Sequence, residues 1–261
     1  LAHHITREPP VPSPLAPSPP PLADSAAALP DAFGDGLRPG IVHRLDRFTT
    51  GVLLGAKTVE AQRALLAAFA ERRVSKVYLA VTAGSPREIV STIDAPIARH
   101  PIDRLKMAVA SSGGRRALSM VHKLASDGRL SLVAVRIGTG RTHQIRVHLQ
   151  HLGCPVLGDA MYGDASYNKR DKRRAARPLL HAYSLRLAHP TVAEKPVHIV
   201  APLPDDFAAV ASAVTGVKEP EELAAWVQER VGAALAEGQQ DFDELLSDML
   251  SEQVAIEGDA N

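Results

Sequence analysis

The order of elements along this 261-residue chain is compatible with an α+β fold, and three observations give that order. Apolar, β-branched runs at 76–83, 116–124 and 130–137 read as strands, the last two separated by the turn Asp127-Gly128. A run starting near Thr142 carries Ile145, Leu149 and Leu152 on one helical face and stops at Gly153. Two later strands, 180–187 and 197–201, precede a short helix near 205–213. This pattern does not by itself arrange the sheet.

Element by element, residues 9–21 hold eight prolines, which favours an extended segment, so 1–38 is expected to be a Pro-rich linker or a truncated N-terminal part. Gly51 to Lys57 reads as a strand. Thr58 can cap a helix with Leu65, Leu66 and Phe69 on one face. After residue 213 the chain becomes acidic and is expected to form a helical extension, 214–261, with helices near 220–235 and 241–253. The intervening 39–213 is expected to be one catalytic domain. The chain opens on Leu1 rather than Met, which suggests that the natural start is missing.

The formal charge of +1 conceals a polarity. From Glu219 onward there are 12 acidic residues and one basic, Arg230, so the first 218 residues carry +12. A basic body favours a polyanion, which it binds by neutralising phosphate. One cysteine, Cys154, excludes an internal disulfide and a cysteine-rich zinc module. No apolar run approaches the roughly 18 residues of a membrane span, and no signal-peptide pattern is found. A soluble protein is expected.

Two segments carry candidate chemistry. His43-Arg44-Leu45-Asp46-Arg47-Phe48-Thr49-Thr50-Gly51 offers one carboxylate in a Gly-terminated loop entering a strand. A nearby guanidinium can keep such a carboxylate ionised and orient it through two parallel hydrogen bonds. Gly140-Arg141-Thr142-His143-Gln144-Ile145-Arg146-Val147-His148-Leu149 offers two guanidiniums around a helix start. His143, His148 and His151 lack the Cys, Asp or Glu that would complete a familiar ligand set, so no metal is expected. Gly138-Thr139-Gly140 lacks the spacing of a phosphate loop. Tyr78, in an apolar strand, is either core or a partner for a base. Lys169 to Arg174, with Arg177, is either a solvated loop or a phosphate contact.

These residues resemble the RluA-type family of RNA pseudouridine synthases, whose signature H-R-L-D-x-x-T-S-G appears as His43 to Gly51. The resemblance extends to Arg38-Pro39-Gly40-Ile41-Val42, Lys76 to Ala80, Gly140 to Leu149, Gly158 to Gly163, and Leu180-His181-Ala182 with His189-Pro190. It covers about 38–210 in the expected order. It implies a central mixed, mainly antiparallel sheet with flanking helices and an RNA cleft. It makes Asp46 the catalytic aspartate, Tyr78 the aromatic residue against the base, Arg146 the partner of Asp46, and Arg44 the residue that replaces a flipped nucleotide. Arg141, His143 and Gln144 fall on the substrate-binding side, where His143-Gln144 and the turn 159–163 look like scaffold with no chemical step of their own. Thr50 replaces the usual Ser. The family's early strand with its Lys-Pro-Ala-Gly-like turn is not found, while Leu1 to Ile5 resembles the helix after it, as in a fragment.

The resemblance implies an isomerase that needs no cofactor and acts on structured RNA, ribosomal RNA ahead of transfer RNA. A monomer without an obligate protein partner is expected. An Ala-rich, Pro-tract-bearing version of a bacterial-type enzyme suggests an organelle, chloroplast or mitochondrion, over the cytoplasm. Two other classes compete: an inactive RNA-binding or ribosome-assembly factor with the same fold, and a metal-dependent hydrolase using Asp46, Asp159 and histidines.

Overall fold

The structure is a computed structural model that describes residues 40–170 and 175–258. The expected linker 1–38 and most of the basic tract, 171–174, lie outside the described residues. The fold is α+β, built on a mainly antiparallel sheet of seven strands. Its strands are β1 (Thr50–Gly51), β2 (Ser75–Ala83), β3 (Val90–Asp94), β6 (Leu118–Ser126), β7 (Leu130–Ile137), β8 (Leu180–Ala188) and β9 (Pro196–Val200). The order is β1-β8-β2-β7-β6-β3, with β9 also on β8 and only β1–β8 parallel. A separate hairpin pairs β4 (Ile97–Arg99) with β5 (Met107–Val109).

Alternation along the strands splits the core into two layers. Val77, Leu79 and Val81 of β2, with Leu132 and Ala134 of β7, pack against α4 (Asp205–Thr215) and α5 (Pro220–Ala236) through Phe207, Val210, Leu223 and Val227. Tyr78, Ala80, Val133, Val135 and Ile137 share the other cluster with Ile145 and Leu149 of α2 (Gln144–His151). The 3.6-residue spacing of Ile145 and Leu149 therefore lays α2 across the central strands. Helix α1 (Val59–Ala70) starts where Thr58 Oγ1 accepts from Ala61 N at 3.1 Å and packs Leu65 and Ala68 near Val42, Val52 and Leu54. A short α3 (Ala165–Arg170) follows the 158–163 turn.

The acidic segment is helical and joins the core. Helix α6 (Gln239–Gly258) buries Phe242 and Met249 against Leu118 and Met120, while Arg136 bonds Gln239 and Asp243. The expected strand at 51–57 shrinks to two paired residues because the chain beyond Gly51 leaves β8; Gly55 only bridges Ile41. The strands β3, β4 and β5 were too short to stand out by alternation. No helix among the described residues is long and apolar enough to cross a membrane.

Candidate active site

The loop that carries Asp46 is pinned from both ends. Upstream, the His43 ring stacks on Phe69 at 4.8 Å and its Nε2 accepts from Leu54 N at 2.8 Å; burial and Lys76 push it down to about 4, so it stays neutral. Thr49 N donates to Asp46 O, closing a turn in which exposed Phe48 takes a left-handed φ of 71°, a costly conformation for an aromatic residue. Downstream, a Cβ on Gly51 would sit 2.1 Å from Ala182 O, so only glycine permits the approach of β1 to β8. His181 donates through Nε2 to Ala201 O at 3.4 Å, leaving Nδ1 to accept from the Thr50 hydroxyl at 2.9 Å. Arg177 reaches Phe48 O at 3.3 Å and Asp206 at 2.7 Å. It clamps the turn, so the solvated-loop and phosphate-contact readings both give way at this residue.

Helix α2 brings Arg146 to this loop, but its fork faces elsewhere. Nε and one Nη donate to Asp159 at 2.6 and 3.0 Å, whereas the other Nη lies 3.6 Å from Asp46 Oδ2. The parallel hydrogen bonds expected for Asp46 therefore go to Asp159. The reason is burial: Asp159 is fully enclosed and needs a full counter-charge, while the Asp46 side chain keeps 21% exposure. Burial opposes ionisation of Asp159, but the hydrogen bond and charge of Arg146 and the N–H groups of Tyr162 and Met161 outweigh it and hold its pKa low. Burial likewise opposes the Arg146 charge, and Asp159 followed by Asp46 overrides it. Arg146 also lies 4.8 Å over the Tyr162 ring, whose hydroxyl accepts from Met107 N and meets His143 Nδ1 at 2.8 Å.

A pocket opens where these parts meet, lined by Arg44, Asp46, Tyr78, Ile137, Arg141 and Ile145, among others. Burial, then the charge of Asp46, raises the Tyr78 pKa, so its hydroxyl stays protonated. Arg44 is exposed at the rim. Arg141 donates through Nε to Arg116 O at 3.0 Å.

Gln144 and His143, expected on the substrate-binding side as scaffold, are held by hydrogen bonds inside the protein. Gln144 is 3% exposed; its Oε1 accepts from Thr139 Oγ1 and Arg141 N, and its Nε2 donates to Leu118 O and Ser119 Oγ. All four capacities are used inside the protein, so it fixes the backbone of Arg141 while also lining the pocket. His143, at the α2 N-terminus with φ 57°, lies outside the pocket lining and is tied to Tyr162. His148 is committed through Ser119 and Ala95, and Asp159 through Arg146, so neither is free to hold a metal. Among the described residues no cluster of three metal-ligating side chains exists. The sequence reading missed Tyr162 and the Arg146–Asp159 pair; the Gly158-to-Gly163 motif was their only sequence signal.

Fold and pocket together define a class: an α+β protein holding a carboxylate, a tyrosine and arginines in a pocket over the central strands of a mainly antiparallel sheet. The chain belongs to the RNA pseudouridylate synthase family, whose model matches residues 15–151. It is 47% identical over 182 residues to an uncharacterized RNA pseudouridine synthase of Chloroflexus aurantiacus, covering 69% of this chain and 55% of that protein. It is 42% identical over 187 residues to ribosomal large subunit pseudouridine synthase D of Xanthomonas campestris, covering 68% and 55%. The chain thus spans about half the length of the curated relatives it matches. The solved structure of human RNA pseudouridylate synthase domain containing 1 aligns with a TM-score of 0.57 and 31% identity, over 72% of this chain and 78% of that one.

Proposed function

We propose that this chain is an RNA pseudouridine synthase, with Asp46 as its catalytic carboxylate. The reaction breaks the bond between C1′ and N1 of uridine and rejoins the sugar to C5, whose proton leaves to solvent while N1 takes one up. It needs neither redox change nor phosphate energy. It needs an ionised carboxylate beside the sugar and base, and a pocket that holds the detached uracil. The observation that carries the reading is the pocket itself, which Asp46 lines together with the protonated Tyr78 while the cation of Arg146 lies 3.6 Å from the carboxylate. Tyr78 packs on the base, and such a stack, worth about 1–3 kcal/mol, offsets part of the extrusion cost of a few kcal/mol. Arg44, exposed at the rim, fills the place of the extruded nucleotide.

Ribosomal RNA is favoured over transfer RNA, because several relatives are named as ribosomal large subunit enzymes. The chain acts as a monomer on RNA, with 39–213 carrying the site residues and α5 and α6 completing the core beneath them. The compartment inferred from composition is an organelle, and cell fractionation decides it.

The test is tritium release from RNA carrying 5-tritiated uridine, incubated with this chain or with Asp46→Asn, chelator present. Release by the parent alone is expected. Turnover by Asp46→Asn overturns the carboxylate's role. No release by either, with salt-sensitive RNA binding kept, favours the inactive RNA-binding factor.

A further inference from the structure

Lys76 lies beside the pocket and, among the described residues, has no counter-ion. It stands two residues before Tyr78 in β2, on the same face, and pairs in register with Ile137, which lines the pocket. Its charged and titratable neighbours come from three places: Arg72 in the turn between α1 and β2, Arg141 in the loop before α2, and His43 in the signature loop. None of these is an acid. Across the strands its register partners, Ile137 and Leu185, are apolar. Among the described residues neither Lys76 nor Arg141 forms an ion pair with a carboxylate, and the Arg141 side chain bonds only the Arg116 carbonyl.

Such a cluster is unfavourable on its own. Burial, then Arg72 and Arg141, pushes Lys76 down to about 8, and burial, then Arg115 and Arg72, pushes Arg141 down to about 10. A half-buried cation with cations for neighbours costs stability unless an anion arrives. Keeping it there is the signature of a site tuned for ligand and not for fold.

We propose that Lys76 and Arg141, with Arg72 beside them, form an anion subsite that takes one phosphate of the RNA strand next to the uridine in the pocket. Arg141 joins the two sites, since it lines the pocket and faces the cluster. A phosphodiester carries a permanent negative charge and lies within one nucleotide of the base, which suits a cluster adjoining the base pocket. The inference rests on the RNA reading above, while free phosphate shares the same chemistry.

The test uses the full chain with Lys76→Met and Lys76→Arg. Affinity for an oligouridylate of about twelve nucleotides, a length within reach of single-strand sites, is measured against salt and pH. For Lys76→Met the slope of log affinity on log salt should shrink by about 0.7, one phosphate on a single strand, and Lys76→Arg should keep it. The protonated amine binds, so parent affinity should fall as pH rises from 7 to 9. Lys76→Arg, which stays charged, should hold flat. Unchanged slopes in Lys76→Met overturn the subsite. Without ligand, Lys76→Met should melt higher than the parent; a lower midpoint shows that the lysine serves the fold and overturns the proposal. Inorganic phosphate that binds the parent tightly while Lys76→Met leaves the RNA slope untouched assigns the cluster to free phosphate. Tritium release separates the two readings: none, with altered slopes, removes only the synthase, and release with unchanged slopes removes only the subsite.

Discussion

Replacing Asp159 by Asn tests which carboxylate Arg146 serves. The substitution keeps the shape of the side chain but removes the charge that faces the guanidinium at 2.6 and 3.0 Å. Arg146, itself 7% exposed, would then have only Asp46 at 3.6 Å. Breaking a buried pair by removing one partner costs about 3–5 kcal/mol. For a chain of this size each kcal/mol moves the melting midpoint by about 2–4 °C, so a fall of roughly 6–20 °C is expected. Urea unfolding at pH 7 of Asp159→Asn, Arg146→Met and the double variant gives the coupling. It should reach at least about 2 kcal/mol, because the double variant leaves no uncompensated charge. The parallel cycle with Asp46→Asn should give under about 1 kcal/mol, as its contact is longer and partly hydrated. Additive costs for Arg146 and Asp159, or a larger coupling to Asp46, would refute the assignment.

Acid should weaken the Asp159 coupling. Its pKa is held below the ordinary value of 3.8, so its stabilisation is complete above that value and is lost as pH falls through the folded value; unfolding cycles at pH 7 and pH 3 check this. Arg146→Lys should lower pseudouridine formation by about a hundredfold, because an ammonium cannot bond Asp159 twice and still face Asp46; near-normal turnover in the tritium assay counts against the shared arginine. Tyr78→Phe should bind RNA within about threefold of the parent, while Tyr78→Ala should lose a further 1–3 kcal/mol or so in a filter-binding titration, since the ring supplies the stack. Neutralising the exposed Asp241, Glu244 and Asp248 on α6 should strengthen RNA binding at low salt and leave it unchanged at high salt. Truncating the whole segment is a poorer test, as it also removes Phe242 and Met249 from the core.

Local patterns carried much of the fold into view. Thr58 caps α1, the Asp127-Gly128 turn joins β6 to β7, and the Ile145 and Leu149 spacing forms α2, because each depends on neighbours in the chain. The two helices of the acidic segment were legible for the same reason. The sheet order was not, since β1 meets β8 across 131 residues; the family resemblance implied only a mixed, mainly antiparallel sheet. Asp46, Tyr78, Arg44 and Arg141 could be picked out by their motifs, and the structure gathers all four around one pocket.

What sequence by itself determined here is membership: which side chains are at hand and which helix or turn presents them. The tertiary structure decided partnership. Arg146 divides itself between two carboxylates according to how deeply each is buried, and Gln144 exhausts its hydrogen bonds on groups from β6 and the preceding loop. Arg177 turns inward to hold the Phe48 turn, while Lys76 is left among cations. Spacing cannot report these choices, because desolvation and Coulomb energy depend on what surrounds a group in three dimensions, and those neighbours come from distant parts of the chain.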